Sequence, residues 1–242
     1  MKLLAIETAT EACSAALLYD ENVLVISELA PRQHNELILV MCEKVLAQAE
    51  CSLSQLDAIA FGRGPGAFTG LRLAAGVTQG IALAQDLPVI PVSSLSALAQ
   101  AAYIEKNTSQ VWVCIDARMK EVYYALYQLN NFAENKTGNT NVPIMQLVEQ
   151  EYVSKPEDIK IELQSDCYGV GSGWQPYAQI LQQICGQEVE FDADALPQAE
   201  YVARLGEYYF QQGHSVSAAQ ALPVYLRNNV AQKPKAKIIT SA

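Results

Sequence analysis

Residues 61–72 read Phe61-Gly62-Arg63-Gly64-Pro65-Gly66-Ala67-Phe68-Thr69-Gly70-Leu71-Arg72. They predict a glycine-rich loop between a buried apolar strand, residues 57–61, and a helix over residues 71–84. Glycine lets a backbone turn sharply and lets another surface approach closely. Thr69 is the predicted N-cap, and the N-terminus of a helix offers free N–H groups to an anion. The loop is therefore a candidate binding element, and its candidate residues are Gly64, Gly66, Thr69, Gly70 and Arg72.

Neither of the common phosphate-binding loops accounts for this string. The Walker pattern needs a lysine directly after its last glycine, which the string lacks. Gly62, Gly64 and Ala67 fit the dinucleotide fingerprint loosely. That fingerprint follows a first strand and points to an acid that ends the next strand. Here three predicted strands and a helix come earlier, and Asp86 precedes the next strand, so the dinucleotide interpretation fails as well.

The composition carries no membrane or secretory signature. Of the 242 residues, 50% are hydrophobic, which is enough to bury one or two sizeable cores. No apolar run approaches a membrane span, and Glu7 interrupts the one run that could form a signal-peptide core, residues 3–6. The six cysteines are scattered without a C-x-x-C pair, which favours reduced thiols over disulfides or a metal site. We expect a cytoplasmic protein.

The charge is distributed unevenly along the chain. Residues 1–207 contain all 26 acidic residues and 12 of the 16 basic ones, a net charge of −14. The last 35 residues contain no acid, and their basic residues are Arg227, Lys233, Lys235 and Lys237. Nucleic-acid binding normally needs a basic footprint that displaces counterions. The acidic body therefore argues against independent binding of RNA or DNA.

Hydrophobic periodicity predicts two halves that begin in the same way, with a meander of strands. The first half is predicted to contain strands at 2–7, 13–20, 23–28, 57–61 and 88–92 and helices at 33–49, 71–84 and 93–103. The second half is predicted to contain strands at 110–115, 121–129, 144–149 and 167–170, helices at 175–184 and 198–212, and an exposed loop at 130–141. This order predicts an α/β fold with mixed sheets. We expect domains at residues 1–105 and 106–242, with a tail that could pack back on the first domain.

Each half places an acid at the end of its first strand, Glu7 in one and Asp116 in the other. One interpretation is that the two carboxylates face each other across a cleft and hold a metal–phosphate complex. The other is that each carboxylate caps a turn. A second glycine cluster, Gly169, Gly171 and Gly173, ends a strand and opens a helix. It could lie behind a nucleotide base or form a tight turn, and the sequence leaves both interpretations open.

Four motifs resemble the bacterial TsaB (YeaZ) family: residues 4–8, 64–72, 116–123 and 223–227. The resemblance is nearly continuous over residues 1–127. It implies the actin-like, Hsp70-like and sugar-kinase-like (ASKHA) fold, with two related domains around a nucleotide cleft that includes Thr8 beside Glu7. It also implies a role in making threonylcarbamoyladenosine next to the tRNA anticodon, as partner of the catalytic paralogue TsaD. A TsaE-type ATPase in a larger complex, a homodimer when the chain is alone, and tRNA contact only through the complex are further expectations.

The resemblance also bears on catalysis. TsaD-like paralogues carry a H-x-E-x-H metal motif, and the matching positions here hold Ser94, Ser96 and Leu98, which cannot replace imidazole ligands. The only histidines are His34, interpreted as polar surface near a helix start, and His214, interpreted as a loop residue. No string offers an activated nucleophile. We therefore expect no catalytic residue, no metal and no tightly bound cofactor, with weak binding of ATP or ADP left open. The alternative is an independent ATPase or kinase-like phosphotransferase; a metallopeptidase is disfavoured.

A subunit without catalysis needs a surface for a partner. The first predicted helix contains five consecutive apolar residues, 37–41, which cover more than one face of a helix. We expect its stripe of Ile38, Cys42, Val45 and Ala49 to pack on the sheet. The surface left for a partner is then predicted to consist of Leu37, Val40 and Met41, together with Ala75, Gly76 and Gly80 on the glycine-loop helix. The resemblance supports this surface, because the family uses these two helices to bind its paralogue or itself. The alternative is that both helices pack only on each other and on the sheet.

Overall fold

The first sheet of the computed structural model, which describes residues 1–20, 22–129, 143–163 and 166–227, has five strands. They are β1 (Lys2–Glu7), β2 (Ala12–Tyr19), β3 (Asn22–Leu29), β4 (Ala58–Gly64) and β5 (Val89–Ser93). Their order across the sheet is β3-β2-β1-β4-β5. The pairs β3-β2 and β2-β1 are antiparallel, whereas β1-β4 and β4-β5 are parallel.

The second sheet repeats this design. Its strands are β6 (Gln110–Asp116), β7 (Val122–Leu129), β8 (Met145–Leu147), β9 (Tyr152–Ser154), β10 (Cys167–Val170) and β11 (Phe191–Asp192). The order β8-β7-β6-β10-β11 again has antiparallel pairs on one side of the central strand and parallel pairs on the other, and β9 also pairs with β7. Two sheets with the same 3-2-1-4-5 order and the same directions are the arrangement of the actin-like (ASKHA) fold. The fold expected from the resemblance is confirmed.

Helices cover both faces of each sheet. They are α1 (His34–Gln48), α2 (Phe68–Gln85), α3 (Ser94–Lys106), α4 (Trp174–Cys185) and α5 (Ala199–Gln211). Alternate residues of β1 point to opposite faces, so Leu4 and Ile6 pack under α1 and α2 while Leu3 and Ala5 pack under α5. Strand β6 divides its side chains in the same way between α3 and α4. Both strands are buried on two faces, which explains their nearly continuous apolar sequences.

The packing of two helices crosses the predicted domain boundary between residues 105 and 106. Helix α3 precedes that boundary but packs on β6 and β10 of the second sheet, and α5 follows it but packs on β1, β2 and β4 of the first. After α5, Val216 forms a bridge with Val89, and Ala221 lies in the core under α2. The limits of the domains remain a prediction, because packing crosses them in both directions.

The predicted elements agree with the structure to within a few residues, with one informative exception. Strand β4 continues through Gly64, so the first four residues of the glycine-rich string are strand and not loop. Helix α2 begins at Phe68, its N-cap is Ala67, and Thr69 lies inside the helix. The prediction of Thr69 as N-cap was therefore wrong, because the longer strand brings the helix start closer. The predicted exposed loop at 130–141 lies outside the described residues.

Candidate functional site

The glycine-rich string packs against the turn between β1 and β2. A Cβ atom on Gly70 would overlap the carbonyl oxygen of Thr8, and one on Gly66 would overlap the carbonyl oxygen of Ala9. The Thr8 hydroxyl donates a hydrogen bond to the Gly70 carbonyl at 2.8 Å, and the Ala67 N–H donates to the Ala9 carbonyl at 2.7 Å. We call these contacts the glycine clasp. The glycines of the clasp therefore allow a close approach of the chain to itself.

Glu7 lies under the clasp and is fully buried. Its carboxylate accepts hydrogen bonds from the Ala9 N–H at 2.7 Å and from the Ser94 hydroxyl at 2.8 Å, and a Cβ atom on Gly62 would overlap it. Burial raises the pKa of Glu7 above its ordinary value, and the hydrogen bonds from Ala9 and Ser94 oppose that rise. Glu7 therefore links β1 to β4 and to the start of α3.

Asp116 occupies a different environment. It lines a cavity of about 410 Å³ between the two halves, together with Thr10, Gly66 and Ser172, whereas Glu7 and Thr8 are not among the described residues that line it. The Asp116 carboxylate accepts a hydrogen bond from the Arg118 N–H at 2.9 Å, which is the turn-capping role considered above. Of the two carboxylates, that of Asp116 lies on the wall of this cavity. A metal–phosphate site that uses both Glu7 and Asp116 stays a prediction.

The second glycine cluster forms the tight turn between β10 and α4. A Cβ atom on Gly169 would lie 2.5 Å from the ring of Trp174, and one on Gly173 would lie 2.7 Å from the Cys114 sulfur. Gly171 has φ +104°, a conformation that favours glycine, and its N–H donates to the Asp192 carbonyl at 2.9 Å. Contacts within the chain therefore account for all three glycines.

The three positions that match the metal-binding motif of TsaD-like paralogues hold buried side chains in this chain. Ser94 donates to Glu7, while Ser96 and Leu98 are buried. His34 is not a simple surface residue as predicted, because its Nε2 lies 2.9 Å from the Thr10 carbonyl oxygen and helps to hold the β1–β2 turn. Within the described ranges, no group of three or more His, Cys, Asp or Glu residues could hold a metal ion. No helix of these ranges is long and apolar enough to cross a membrane.

A C-terminal strap, residues 221–227, crosses from the first sheet to the second. The Val224 N–H donates to the Arg63 carbonyl at 2.8 Å, and Arg72 donates to the Tyr225 hydroxyl at 3.2 Å while stacking 3.7 Å above the Phe68 ring. Arg227 then binds the Ala117 carbonyl at 3.1 Å and pairs with Glu121. Arg72, predicted as a loop residue, thus connects α2 to the strap. Periodicity gave no sign of the strap, and only the motif at 223–227 marked it.

The neighbouring helices α1 and α2 carry five positions that no other described part of the chain covers, which we call the open helix face: Leu39, Val40, Gly76, Gly80 and Leu83. Their exposed fractions are 52% for Leu39, 43% for Val40 and 79% for Leu83. A Cβ atom on Gly76 or Gly80 would find no heavy atom within 4 Å. The backbone of α2 is therefore bare at two positions one turn apart.

Two predicted members of the partner surface lie elsewhere. Met41 and Ala75 are buried, at 3% and 4% exposure, and Leu37 is half-buried against the same core. Ile38, Met41, Cys42 and Val45 have the i, i+3, i+4, i+7 spacing of one buried face, so the sequence did contain the signal that places Met41 inside. Leu39 and Leu83, which the prediction omitted, are exposed.

Glu7 gives a pH-dependent prediction. Its folded-state pKa is raised, so its contribution to stability is present below the ordinary value of 4.5 and is lost as pH rises through the folded pKa. Glu7→Gln keeps an acceptor for Ala9 and cannot ionise. We expect the free energy of unfolding of the variant, minus that of the wild type, to increase from about pH 4.5 toward neutrality. Urea unfolding of both proteins at a series of pH values measures this difference, and a flat or falling difference would contradict a raised pKa of Glu7 in the folded chain.

Comparison with known proteins gives the family. A sequence model described as TsaD, tRNA N6-adenosine threonylcarbamoyltransferase, matches residues 22–235. The tRNA threonylcarbamoyladenosine biosynthesis protein TsaB of Haemophilus influenzae is 42% identical over 237 residues, covering 96% of both chains. The chain belongs to the TsaB (YeaZ) family. The TsaB protein of Escherichia coli is 41% identical, covering 96% of this chain and 97% of its own. YeaZ from Pseudomonas aeruginosa superposes with a TM-score of 0.83 at 44% identity, over 93% of this chain and 99% of its own.

Proposed function

We propose that this TsaB-family chain is a non-catalytic subunit that binds and activates a TsaD-type enzyme, which forms threonylcarbamoyladenosine next to the tRNA anticodon. The observation that carries the proposal is the open helix face, which combines exposed Val40 on α1 with two bare backbone positions on α2, Gly76 and Gly80. Family membership supplies the pathway. The two TsaB relatives are named for the biosynthesis of this nucleoside, and the matching sequence model is described as the transferase.

The open helix face suits contact with another helix. Two helices pack with their axes about 8–10 Å apart, and the shorter distances need small residues at the crossing point. Gly76 and Gly80 provide such a crossing point on α2. Val40 and Leu39 on α1 and Leu83 on α2 then supply the apolar area whose burial drives association. A paralogue that presents an equivalent pair of helices would complete a four-helix contact.

The interior of the chain supports a role without catalysis. An independent phosphotransferase would use Glu7, Asp116 and the two glycine clusters. Instead, Glu7 is buried among hydrogen-bond donors, and Asp116 caps its own turn. The glycines of both clusters pack on the chain itself. These contacts favour an accessory subunit over the ATPase or kinase-like alternative.

The remaining expectations follow from the same proposal. The chain works in the cytoplasm, meets a TsaE-type ATPase in a larger assembly, and reaches tRNA only through that assembly. In the absence of its partner, the open helix face pairs with a second copy and gives a homodimer. Any binding of ATP or ADP to the isolated chain is weak.

Association in solution tests the proposal. The purified chain is mixed with the TsaD-type enzyme from the same organism and analysed by light scattering after gel filtration. The expected result is a complex that replaces any homodimer, with negligible ATP turnover by the chain alone. Failure to associate, or ATP turnover at enzymatic rates without a partner, would reject the accessory role.

A further inference from the structure

A second cavity, of about 360 Å³, lies between the two sheets and away from the open helix face. Its walls come from both halves of the chain: Arg63 from β4, Ser96 from α3, Tyr127 from β7, Glu151 from the segment before β9, and Tyr209 from α5. This volume is at the lower end of the range of ligand pockets, about 300–1,000 Å³. The cavity is therefore suited to a small molecule.

The cavity presents one positive and one negative charge side by side. The Arg63 guanidinium and the Glu151 carboxylate form an ion pair with N···O distances of 3.2 Å. The Glu151 side chain is only 6% exposed and that of Arg63 is 24% exposed, so the pair is fixed and partly shielded from water. The Tyr127 hydroxyl also donates to Glu151 at 3.4 Å. His214 and Tyr209 also line the cavity.

Hydroxyl groups converge on the same cavity. Ser96 is 3% exposed, and its Oγ makes no hydrogen bond of normal geometry among the described residues, although the Tyr209 hydroxyl lies beside it. Burial raises the pKa of Tyr209 and that of Tyr127, so both phenols stay protonated. The Tyr127 hydrogen already goes to Glu151, whereas that of Tyr209 can be donated to a ligand. A buried hydroxyl without a good partner is costly, and a ligand that accepts its hydrogen bond would remove that cost.

We infer that this cavity binds a small zwitterion of the α-amino acid class. A ligand with both charges can complement Arg63 and Glu151 together without separating them, placing its carboxylate toward the guanidinium and the tyrosine and serine hydroxyls. A simple anion would be repelled by Glu151 and a simple cation by Arg63, so the paired charges select against both. Because the walls come from two sheets, binding stabilises the folded chain as a whole. The inference does not depend on the proposed function.

The first test measures ligand selectivity with the full chain. The standard L-amino acids are screened singly at about 10 mM by thermal unfolding, and the best is titrated by calorimetry. The N-acetyl form of that amino acid lacks the ammonium and its amide form lacks the carboxylate. We expect each derivative to bind at least about tenfold more weakly than the free amino acid. No shift with any amino acid, or equal binding of either derivative, would overturn the inference.

The second test locates the site. Ser96→Ala and Tyr209→Phe each remove one hydroxyl and keep the packing, and Ser54→Ala and Tyr19→Phe are matched controls on other parts of the chain. We expect binding at least about fivefold weaker in the first two variants and unchanged in the controls. Without ligand, Ser96→Ala should unfold at or above the wild-type temperature, because it removes a buried hydroxyl that has no good partner. Unchanged affinity in both cavity variants would place the amino acid elsewhere and would overturn the assignment.

Discussion

Val40→Glu is expected to abolish association with the TsaD-type enzyme while leaving the unfolding temperature within about 3 °C of the wild type. Val40 is 43% exposed near the middle of the open helix face, so the new carboxylate stays hydrated in the free chain. In the complex it would be buried without a partner, at a cost of roughly 3–5 kcal/mol by analogy with broken buried ion pairs. That cost lowers affinity by about a hundredfold or more.

Ile104→Glu is the matched control for this variant. Ile104 is 42% exposed and lies on α3, away from the open helix face, so a carboxylate there meets the same solvent and no partner. Affinity and unfolding temperature are measured for both variants by calorimetry and circular dichroism. Equal loss of association in the two variants, or a collapse of the Val40→Glu fold, would contradict the interface.

Gly76→Leu is also expected to weaken association with the TsaD-type enzyme, but it should raise the stability of the free chain. A Cβ atom at Gly76 meets no heavy atom within 4 Å, so leucine causes no internal overlap. Leucine is a better helix former than glycine by about 0.8 kcal/mol or slightly less, which should raise the unfolding temperature by a few degrees. Its side chain would hold a partner helix away from the bare backbone and weaken association. A more stable variant that no longer binds cannot be explained by unfolding.

Gly70→Ala is expected to destabilise the chain by at least about 3 kcal/mol, although glycine-to-alanine changes in helices normally stabilise by about 1 kcal/mol. Gly70 and Gly76 lie in the same helix, α2, one buried and the other exposed. A Cβ atom on Gly70 would overlap the Thr8 carbonyl oxygen, which is backbone and cannot turn aside as a side chain could. The glycine clasp would have to open.

Gly76→Ala is the control, and helix propensity alone predicts that it gains stability. Urea unfolding of both variants, followed by circular dichroism, gives the two changes under the same conditions. If Gly70→Ala were as stable as Gly76→Ala, the string at residues 61–72 would not be held against the β1–β2 turn. Its glycines would then be free for a ligand, as the sequence pattern alone predicts.

The parts of the structure that the sequence predicted are those set by local pattern. Strand β10 was predicted at residues 167–170, as observed, because a short apolar run ends there in glycines. The strand order within each sheet came from the family resemblance and could not have come from periodicity. Strands β9 and β11 were missed because runs of two or three residues carry no readable alternation.

The parts that the sequence did not predict depend on contacts between distant residues. Thr8 meets Gly70 across 62 positions, and Arg63 meets Glu151 across 88. A glycine-rich string looks the same whether it faces a phosphate or a neighbouring carbonyl group, so only the fold distinguished the two. Met41 is different, because helical spacing already placed it with Ile38 and Val45 on the buried face.

Reconstitution of the modification reaction tests the central claim most directly. The TsaD-type enzyme, its substrates and unmodified tRNA are incubated with the wild-type chain, with Val40→Glu, or without either, and threonylcarbamoyladenosine is quantified by mass spectrometry. The account predicts product with the wild-type chain at rates at least about a hundredfold above those with Val40→Glu or with no addition. Equal product in all three reactions, or full activity with Val40→Glu, would contradict an activating subunit that acts through the open helix face.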